Sequence, residues 1–380
     1  MKKLRIIALH LAYGGIEKAI ISMANIFVER YDVEILSVYN MPDSPAFPLD
    51  ERVKVRYLTD DIPNRQKWKK ALSERNIPAL LKESVRAVKI LRNKKQGVIN
   101  AIREIDEGII ITTRHEDNMV LSKYGSKNVL KIAQFHQDHR FEEKYVKGFA
   151  EKYGNIDIFA HLTPSLMEEV SEMMAANKHT KHAYVPNFLE TFPELDGTEV
   201  REKSIISVGR LHPGKGFDRL VRIFSTLAEE FPDWKLKIIG DGEEKENLQH
   251  QIEELGLQDQ VILTGKMNSF QLEEEMKKAS VFAMTSHSEG LSFVILETQS
   301  CGLPLVVFDV RVCAKMVVNE GVNGFLVEDC DEQGFADKLR ELMSSPEKCA
   351  QMGANARCWA EEFSAEKVKE IWFSVLENQL

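Results

Sequence analysis

Short runs of apolar residues alternate with amphipathic stretches along most of the chain. Five candidate strands lie in the first half: LRIIAL (4–9), VEILSV (33–38), GIIITT (108–113), VLKIAQF (129–135) and IDIFAHL (156–162). After Pro186 the pattern restarts with SIISVG (204–209), KLKIIG (235–240), QVILTG (260–265), VFAMTS (281–286) and LPLVVFD (303–309). Helical stretches such as 218–230 and 271–278 lie between many of them. Strands that alternate with helices predict parallel sheets covered on both faces.

Each half begins with a strand that runs into a glycine-containing turn and then a helix. The first turn is HLAYGGIEKAI, with Gly14 and Gly15, and the second is GRLHPGKGFDRL. We therefore predict an α/β chain of two tandem doubly wound, Rossmann-like domains, 1–188 and 189–363, joined by a linker at 185–204. Ligands of such sheets bind at the carboxyl ends of the strands, so the sequence predicts a substrate cleft between two facing domains.

Composition is typical of a globular protein and excludes several classes. A length of 380 residues fits two domains, and 43% hydrophobic with 29% charged residues is ordinary. The net charge of −9 does not indicate a general nucleic-acid role. Five cysteines, all in the last quarter and without a C-x-x-C pair, predict reduced packing residues rather than a disulfide framework or a zinc site. The opening MKKLRIIALHLAYGG is interpreted as a first strand rather than a signal peptide, and no run approaches membrane-spanning length.

One segment, 64–103, departs from this charge balance. It contains twelve basic residues and only two glutamates, a net charge of +10. Leu81, Val85 and Val88 fall on one helical face with Leu91 near it, and Trp68 and Leu72 form another apolar pair at i, i+4. This pattern favours a basic amphipathic surface for an anionic membrane or a polyanionic acceptor. The alternative is a solvated helix whose apolar stripe faces its own core.

The stretch SVGRLHPGKGFDRL (207–220) carries the first candidate chemistry. Gly209, Gly214 and Lys215 fit the start of a nucleoside-triphosphate P-loop, but Gly216 stands where Ser or Thr must bind Mg²⁺. Arg210 and Lys215 beside a helix start instead favour a diphosphate held without metal. A glycine-rich turn with exposed cations is the structural alternative.

A second stretch, TSHSEGLSFVILETQSCGLP (285–304), places Glu289 and Glu297 at an E-x7-E spacing. Gly290 predicts an unusual turn, and 293–300 can form a helix whose entry, from Leu291 to Phe293, would direct N–H groups at an anion. The two carboxylates could then accept hydrogen bonds from hydroxyls on both sides of a diphosphate. Surface charge alone is the alternative interpretation.

Together these stretches resemble the retaining glycosyltransferases of family GT4, with the GT-B fold, in particular those that build bacterial cell-surface polysaccharides. The resemblance covers nearly the whole chain and is strongest from Ser204 to Val327. The matching stretches are GGIEKA, VGRLHPGKGFDRL, IIGDGEE, VILTGK, SEGLSFVILET, CGLPLVVFD and EGVNGFLV.

The resemblance implies a role for each matching residue. Arg210 and Lys215 would bind the diphosphate of a nucleotide-sugar donor, Glu297 the ribose and Glu289 the donor sugar. Gly14 and Gly15 would lie near the phosphates, Lys266 and Met267 against the base, and the backbone of Leu291, Ser292 and Phe293 around phosphate. Gly209, Gly240 and Gly290 complete the predicted donor-binding residues. The last helix, 364–380, would pack back on the first domain.

The stretch AQFHQDHRF (133–141) resembles the family's histidine loop, with His136 near the sugar and the acceptor. Asp138, His139 and Arg140 are weaker candidates. Two departures bear on the acceptor side: Gln137 follows the histidine where many members have an acid, and VPNFLE replaces a Pro-Asn-Gly turn. His136 as a structural histidine remains the alternative.

The sequence thus predicts a metal-independent retaining hexosyltransferase with no cofactor. A hexose or N-acetylhexosamine would pass from a nucleotide sugar, expected to be a UDP-sugar, to a lipid-linked or polyanionic cell-surface glycan. The catalytic candidates are Glu289, His136, Arg210 and Lys215. The expected location is the cytoplasm, at the inner face of the plasma membrane if 64–103 contacts lipid. The alternatives are a GT-B nucleotide-sugar epimerase and a non-catalytic glycan-binding partner; the sugar, linkage and oligomeric state are not predicted.

Overall fold

Two compact units make up the chain. A computed structural model describes residues 1–42, 44–136, 148–195, 201–310 and 314–377. The first unit contains Met1–Val185 together with the segment that begins at Trp372, and the second is Pro186–Ile371.

The first unit is a parallel sheet of seven strands with helices between them. Its strands are β1 Lys2–Ala8, β2 Tyr31–Tyr39, β3 Lys54–Thr59, β4 Gly108–Thr112, β5 Val129–Gln134, β6 Ile158–His161 and β7 Lys181–Tyr184. Its helices are α1 Gly15–Phe27, α2 Arg65–Ser73, α3 Ile77–Arg103, α4 His115–Tyr124, α5 Phe149–Lys152 and α6 Pro164–Met173. The order β3-β2-β1-β4-β5-β6-β7 reverses direction between β1 and β4. Loops after these two strands therefore meet at one edge of the sheet.

The second unit repeats this plan with six parallel strands. They are β8 Ser204–Val208, β9 Lys235–Ile239, β10 Val261–Gly265, β11 Val281–Met284, β12 Leu305–Phe308 and β13 Gly324–Val327. The helices are α7 Phe217–Ser225, α8 Lys245–Glu254, α9 Ser269–Lys278, α10 Phe293–Ser300, α11 Ala314–Val317, α12 Glu332–Met343, α13 Pro346–Ala360 and α14 Ala365–Glu377. The order β10-β9-β8-β11-β12-β13 reverses between β8 and β11.

Buried strands explain why the sequence pattern is so regular. The central strand β4 and strands β6, β11 and β12 are buried along most or all of their length, so they appear as continuous apolar runs. All ten predicted strands are present, and the prediction of two tandem doubly wound α/β domains is confirmed. Three strands were missed, namely β3, β7 and β13, and each lies at an edge of its sheet.

The division between the units differs from the predicted boundaries at 188 and 363. It falls after Val185 and again within α14, after Ile371. The reason is aromatic packing: the ring centroid of Trp372 lies 5.4 Å from that of Phe27 at the end of α1, and Phe373 lies 6.4 Å from the same ring. The two buried aromatic residues therefore place the end of α14 in the core of the first unit.

The described residues contain no helix long and apolar enough to cross a bilayer. They also contain no cluster of three or more potential metal ligands. The four cysteines within the described ranges are free; Cys301 and Cys349 are buried, and Cys330 and Cys358 are exposed.

Candidate functional site

The glycine turn after β8 is fixed by contacts with the loop after β11. A short 3₁₀ turn, Pro213–Lys215, leads into α7, and the His212 ring accepts a hydrogen bond from the Gly214 N–H at 3.1 Å. Gly216 then adopts a positive φ of 62°. Thr285 holds it in place, since its hydroxyl donates to the Gly216 carbonyl at 2.8 Å.

The geometry at Gly216 answers the question that the P-loop-like spacing raises. A Cβ atom at this position would lie 2.2 Å from the Thr285 carbonyl oxygen, which is backbone and cannot move aside. A Ser or Thr is therefore excluded sterically as well as by the left-handed backbone. The turn has no place for the hydroxyl that a triphosphate-bound Mg²⁺ requires.

Lys215 and Glu289, which the sequence assigned to diphosphate and sugar, contact each other directly. The Lys215 ammonium donates a short hydrogen bond to Glu289 Oε1. The Ser286 hydroxyl donates to the same oxygen at 2.6 Å. Both charges are sheltered, with 30% of the Lys215 and 11% of the Glu289 side chain exposed. Two candidate residues that are 74 positions apart thus form one polar centre at the carboxyl edge of the sheet.

Arg210 adds a second cation at this edge. It directly follows Gly209, whose N–H donates to the Ile239 carbonyl at 3.0 Å at the end of β9. The side chain is exposed and has no ion-pair partner among the described residues. Gly240 permits this close approach, because a Cβ there would lie 1.8 Å from the Gly209 carbonyl oxygen. Arg210 is therefore available to an anionic ligand.

The entry of α10 follows the Glu289 loop. Leu291 and Phe293 are buried, while Ser292 is half-buried and is the N-cap residue, without a side-chain capping bond. Asn187 fixes this entry by donating to the Leu291 carbonyl at 2.6 Å. The first turn of a helix leaves backbone N–H groups without intrahelical partners, which favours a bound anion.

The other predicted donor residues, except Gly14 and Gly15 of the first unit, fall on the same unit. Glu297 is half-buried on α10. The turn after β10 contains the exposed Lys266 and the half-buried Met267, and the Gly240 N–H donates to the Gly265 carbonyl at 3.0 Å. Gly290 is half-buried, but it is not among the positive-φ glycines of the described chain.

Arg219 on α7 is a site residue to which sequence reasoning gave no role. Its guanidinium is buried and donates to the carbonyls of Thr285 at 2.5 Å and Ser286 at 2.7 Å. A third bond at 2.7 Å reaches the Asp329 carboxylate beyond β13. These bonds fix the loop after β11 that leads to Glu289. An arginine early in a helix gives no signal that it turns inward, so the sequence could not reveal this role.

A separate pocket lies in the first unit, at the switch point between β1 and β4. Its volume is about 120 Å³. The lining residues are Ile16, Thr113, Arg114, His115, Glu116, Phe135 and His136. Among the described residues, Thr113 Oγ1 and Arg114 Nε are buried without a hydrogen-bond partner.

His136 lies in this pocket and is held as the neutral imidazole. Burial, helped by the nearby Arg114 charge, lowers the pKa of His136 to about 3. Its Nε2 lies 2.9 Å from the Gln134 side-chain oxygen, an arrangement in which Nε2–H donates and Nδ1 is left as an acceptor. The neighbouring candidates Asp138, His139 and Arg140 lie outside the described residues.

The predicted glycine turn after β1 belongs to the same edge. Gly14 is the N-cap of α1, and Gly15 begins the helix beside Ile16, which lines the pocket. The buried Glu17 carboxylate folds back so that a Cβ at Gly14 would lie 2.0 Å from Glu17 Oε2. Arg114 Nη2 donates to Glu17 Oε1 at 2.7 Å. This partly buried ion pair ties the glycine turn to the loop after β4, and neither partner was predicted.

Comparisons with known proteins agree with this geometry. Residues 189–359 match the family model described as glycosyl transferases group 1. An uncharacterized glycosyltransferase of Haemophilus influenzae is 28% identical over 99% of this chain and 100% of its own length. The poly(glycerol-phosphate) alpha-glucosyltransferase of Bacillus subtilis is 26% identical over 71% of this chain, which spans 41% of that longer protein.

Among solved structures, a variant of S. aureus TarM in complex with fondaparinux, alpha-GlcNAc-glycerol and UDP shares the fold. The TM-score is 0.80 over 98% of this chain and 99% of that chain, at 15% sequence identity. The likeness extends over both units.

Proposed function

We propose that this chain transfers a hexose or N-acetylhexosamine from a UDP-sugar. The premise is that the chain is a group 1 glycosyltransferase with the GT-B fold. The acceptor would be a lipid-linked or polyanionic glycan of the bacterial cell surface. The transfer would retain the anomeric configuration and need no metal ion.

One observation carries the proposal for the donor. Arg210, the Lys215–Glu289 pair and the entry of α10 all lie at the carboxyl edge of the second sheet, beside its switch point. A diphosphate is the ligand that suits two cations and a helix N-terminus. The TarM complex named above contains UDP, which supports a uridine nucleotide.

The geometry also supports a division of roles within the donor site. Lys215 would exchange its bond with Glu289 for the diphosphate, and the released Glu289 carboxylate would accept hydrogen bonds from the sugar. Glu297 would bind the ribose, while Lys266 and Met267 would lie against the base. The exchange keeps Lys215 neutralised in both states, so its charge is never buried without a partner.

The proposed reaction is a front-face displacement. The acceptor oxygen forms a bond to the anomeric carbon on the face from which the diphosphate departs, and the bond from that carbon to the phosphate oxygen breaks. The acceptor proton passes to the departing phosphate oxygen, so no protein base is required. Arg210, Lys215 and the N–H groups of α10 would stabilise the charge that develops on the diphosphate.

The pocket of the first unit is the proposed position of the acceptor. His136 is neutral over the physiological pH range and offers an acceptor nitrogen to a hydroxyl. The Bacillus subtilis relative is named for poly(glycerol-phosphate), which supports a polyanionic acceptor. Because sugar nucleotides are cytoplasmic metabolites, we place the reaction in the cytoplasm.

Proton NMR of a transfer reaction tests this proposal. The full chain is incubated with UDP-glucose or UDP-N-acetylglucosamine and poly(glycerol phosphate), in EDTA and again with Mn²⁺. We expect UDP release only with acceptor present, an α-configured product, and the same rate in both buffers. The α product is the retained configuration, because these donors are themselves α-linked.

The same experiment separates the two alternatives. Conversion of the donor to its C2 epimer or free sugar without acceptor would identify an epimerase and contradict transfer. A donor that binds without being consumed would indicate a non-catalytic partner. A β-configured product would contradict retention, and activity restricted to the Mn²⁺ buffer would contradict metal independence.

A further inference from the structure

The helical pair α2–α3 presents an apolar stripe to solvent. Ile77, Leu81, Val85, Val88 and Leu91 follow one another along α3 at spacings of three and four residues, so they share one face. Their exposed fractions are 62–72%. Leu72 on α2 is also half exposed. Single exposed apolar residues are ordinary, whereas a continuous row over four helical turns marks an interaction surface.

This stripe does not pack against the core of its own unit. Apart from Ile90, the buried residues of α3 lie near its C-terminal end, beyond the stripe, and are Val98, Ile99, Ala101 and Ile102. α2 is fixed to α3 by Trp68, whose indole N–H donates to the Ser84 hydroxyl at 3.0 Å, and by Asn64, which donates to the Glu83 carboxylate at 2.7 Å. The structure therefore excludes the interpretation in which the stripe packs on its own unit.

Cations lie along one side of the stripe and at its C-terminal end. The exposed members on α3 are Lys82, Arg86, Lys89, Arg92 and Lys95. Within the described ranges none of these five has an ion-pair partner. Lys82, Arg86 and Lys89 flank Leu81, Val85 and Val88 on one side, at the adjoining positions of the helix. The segment 64–103 carries +10 on a chain whose net charge is −9, so its charge is concentrated rather than an average property.

We propose that the α2–α3 surface docks on an anionic lipid bilayer. The stripe from Ile77 to Leu91 would enter the boundary between headgroups and acyl chains, and the flanking cations would contact anionic headgroups. A soluble polyanion would satisfy the cations but leave the apolar row in water. A second copy of the chain would cover the row only by bringing two strongly positive surfaces together. The inference does not depend on the sugar that is transferred.

Vesicle co-sedimentation of the full chain tests the docking surface. Vesicles of phosphatidylcholine alone are compared with vesicles that contain equal parts of phosphatidylglycerol, at 0.15 M salt. We expect binding only to the anionic vesicles. The triple variant Leu81→Ser, Val85→Ser, Val88→Ser removes exposed side chains and should bind at least ten-fold more weakly. The variant Lys82→Gln, Arg86→Gln, Lys89→Gln should lose roughly a hundred-fold, since each cation near such a surface contributes about five-fold.

A matched control and three outcomes complete the design. Phe270→Ser removes an equally exposed apolar side chain from the second unit and should bind like the wild type. Failure of the wild type to bind anionic vesicles would overturn the proposal. Retained binding by the serine triple variant would also overturn it, because charge alone would then explain adsorption. So would light scattering that shows a dimer which the serine variant dissociates.

Discussion

Gly216 is the residue that distinguishes the turn GRLHPGKGFDRL from a triphosphate-binding loop. Its positive φ and its contact with the Thr285 carbonyl both require the absence of a side chain. Gly216 breaks the P-loop motif, but the turn observed here requires a glycine at this position. The turn places Lys215 against Glu289 because Gly216 lets the chain pass directly over the β11 loop.

We predict that Gly216→Ser destabilises the protein and does not create a Mg²⁺–ATP site. The expected loss in the free energy of unfolding is about 1–3 kcal/mol from the backbone conformation alone, with a further cost from the clash. Chemical denaturation measures it. Gly256→Ser is the matched control, because Gly256 has a φ of 68° but open space around its Cβ. A stable variant that binds Mg²⁺–ATP would contradict this explanation of the turn.

The sequence indicates candidate site residues, but it does not indicate which of them contact each other. Arg210, Lys215, Glu289 and Glu297 stand out because their spacing follows strands and glycine turns. The contact between Lys215 and Glu289 depends on the strand order β9-β8-β11, which periodicity does not reveal.

At the scale of elements, burial determines what the sequence could predict. Interior strands such as β4, β11 and β12 are nearly continuous apolar runs, and all interior strands were found. The edge strand β3 has no fully buried residue, and its sequence KVRYLT mixes polar and apolar residues. The same principle explains Arg219. Its helix α7 has the pattern of an ordinary amphipathic helix, and only the tertiary structure shows that the guanidinium joins α7 to the β11 loop and to Asp329.

Replacing Arg219 by alanine should loosen the donor site through the loop that it supports. Two buried carbonyls would lose their donors, and we expect a cost of about 3 kcal/mol in the free energy of unfolding. Arg222→Ala on the same helix is the control. Arg222 is 46% exposed and pairs with Asp218 and Glu332, so its loss should cost about 0.5 kcal/mol. Equal effects in thermal denaturation would contradict the assignment of Arg219 as the buried anchor.

At the scale of the whole molecule, the concentrated positive charge and the candidate donor site lie in different units. The strongly basic segment 64–103 lies in the first unit, whereas the candidate donor site lies in the second. The doubly wound architecture could be predicted because strand and helix periods recur in both halves. The exposure of the α3 stripe could not be predicted, since a periodic apolar row is compatible with core or surface until it is known which part of the helix packs on its unit.

Titration calorimetry with UDP-sugars in EDTA tests the central claim that the second unit binds a nucleotide sugar without metal. We predict that at least one UDP-sugar binds the wild type and that Lys215→Ala weakens binding roughly ten- to hundred-fold. Lys203→Ala, at the opposite end of β8, should leave binding unchanged. If the wild type binds no UDP-sugar, or if Lys215→Ala binds as tightly as Lys203→Ala, the donor-site account is wrong.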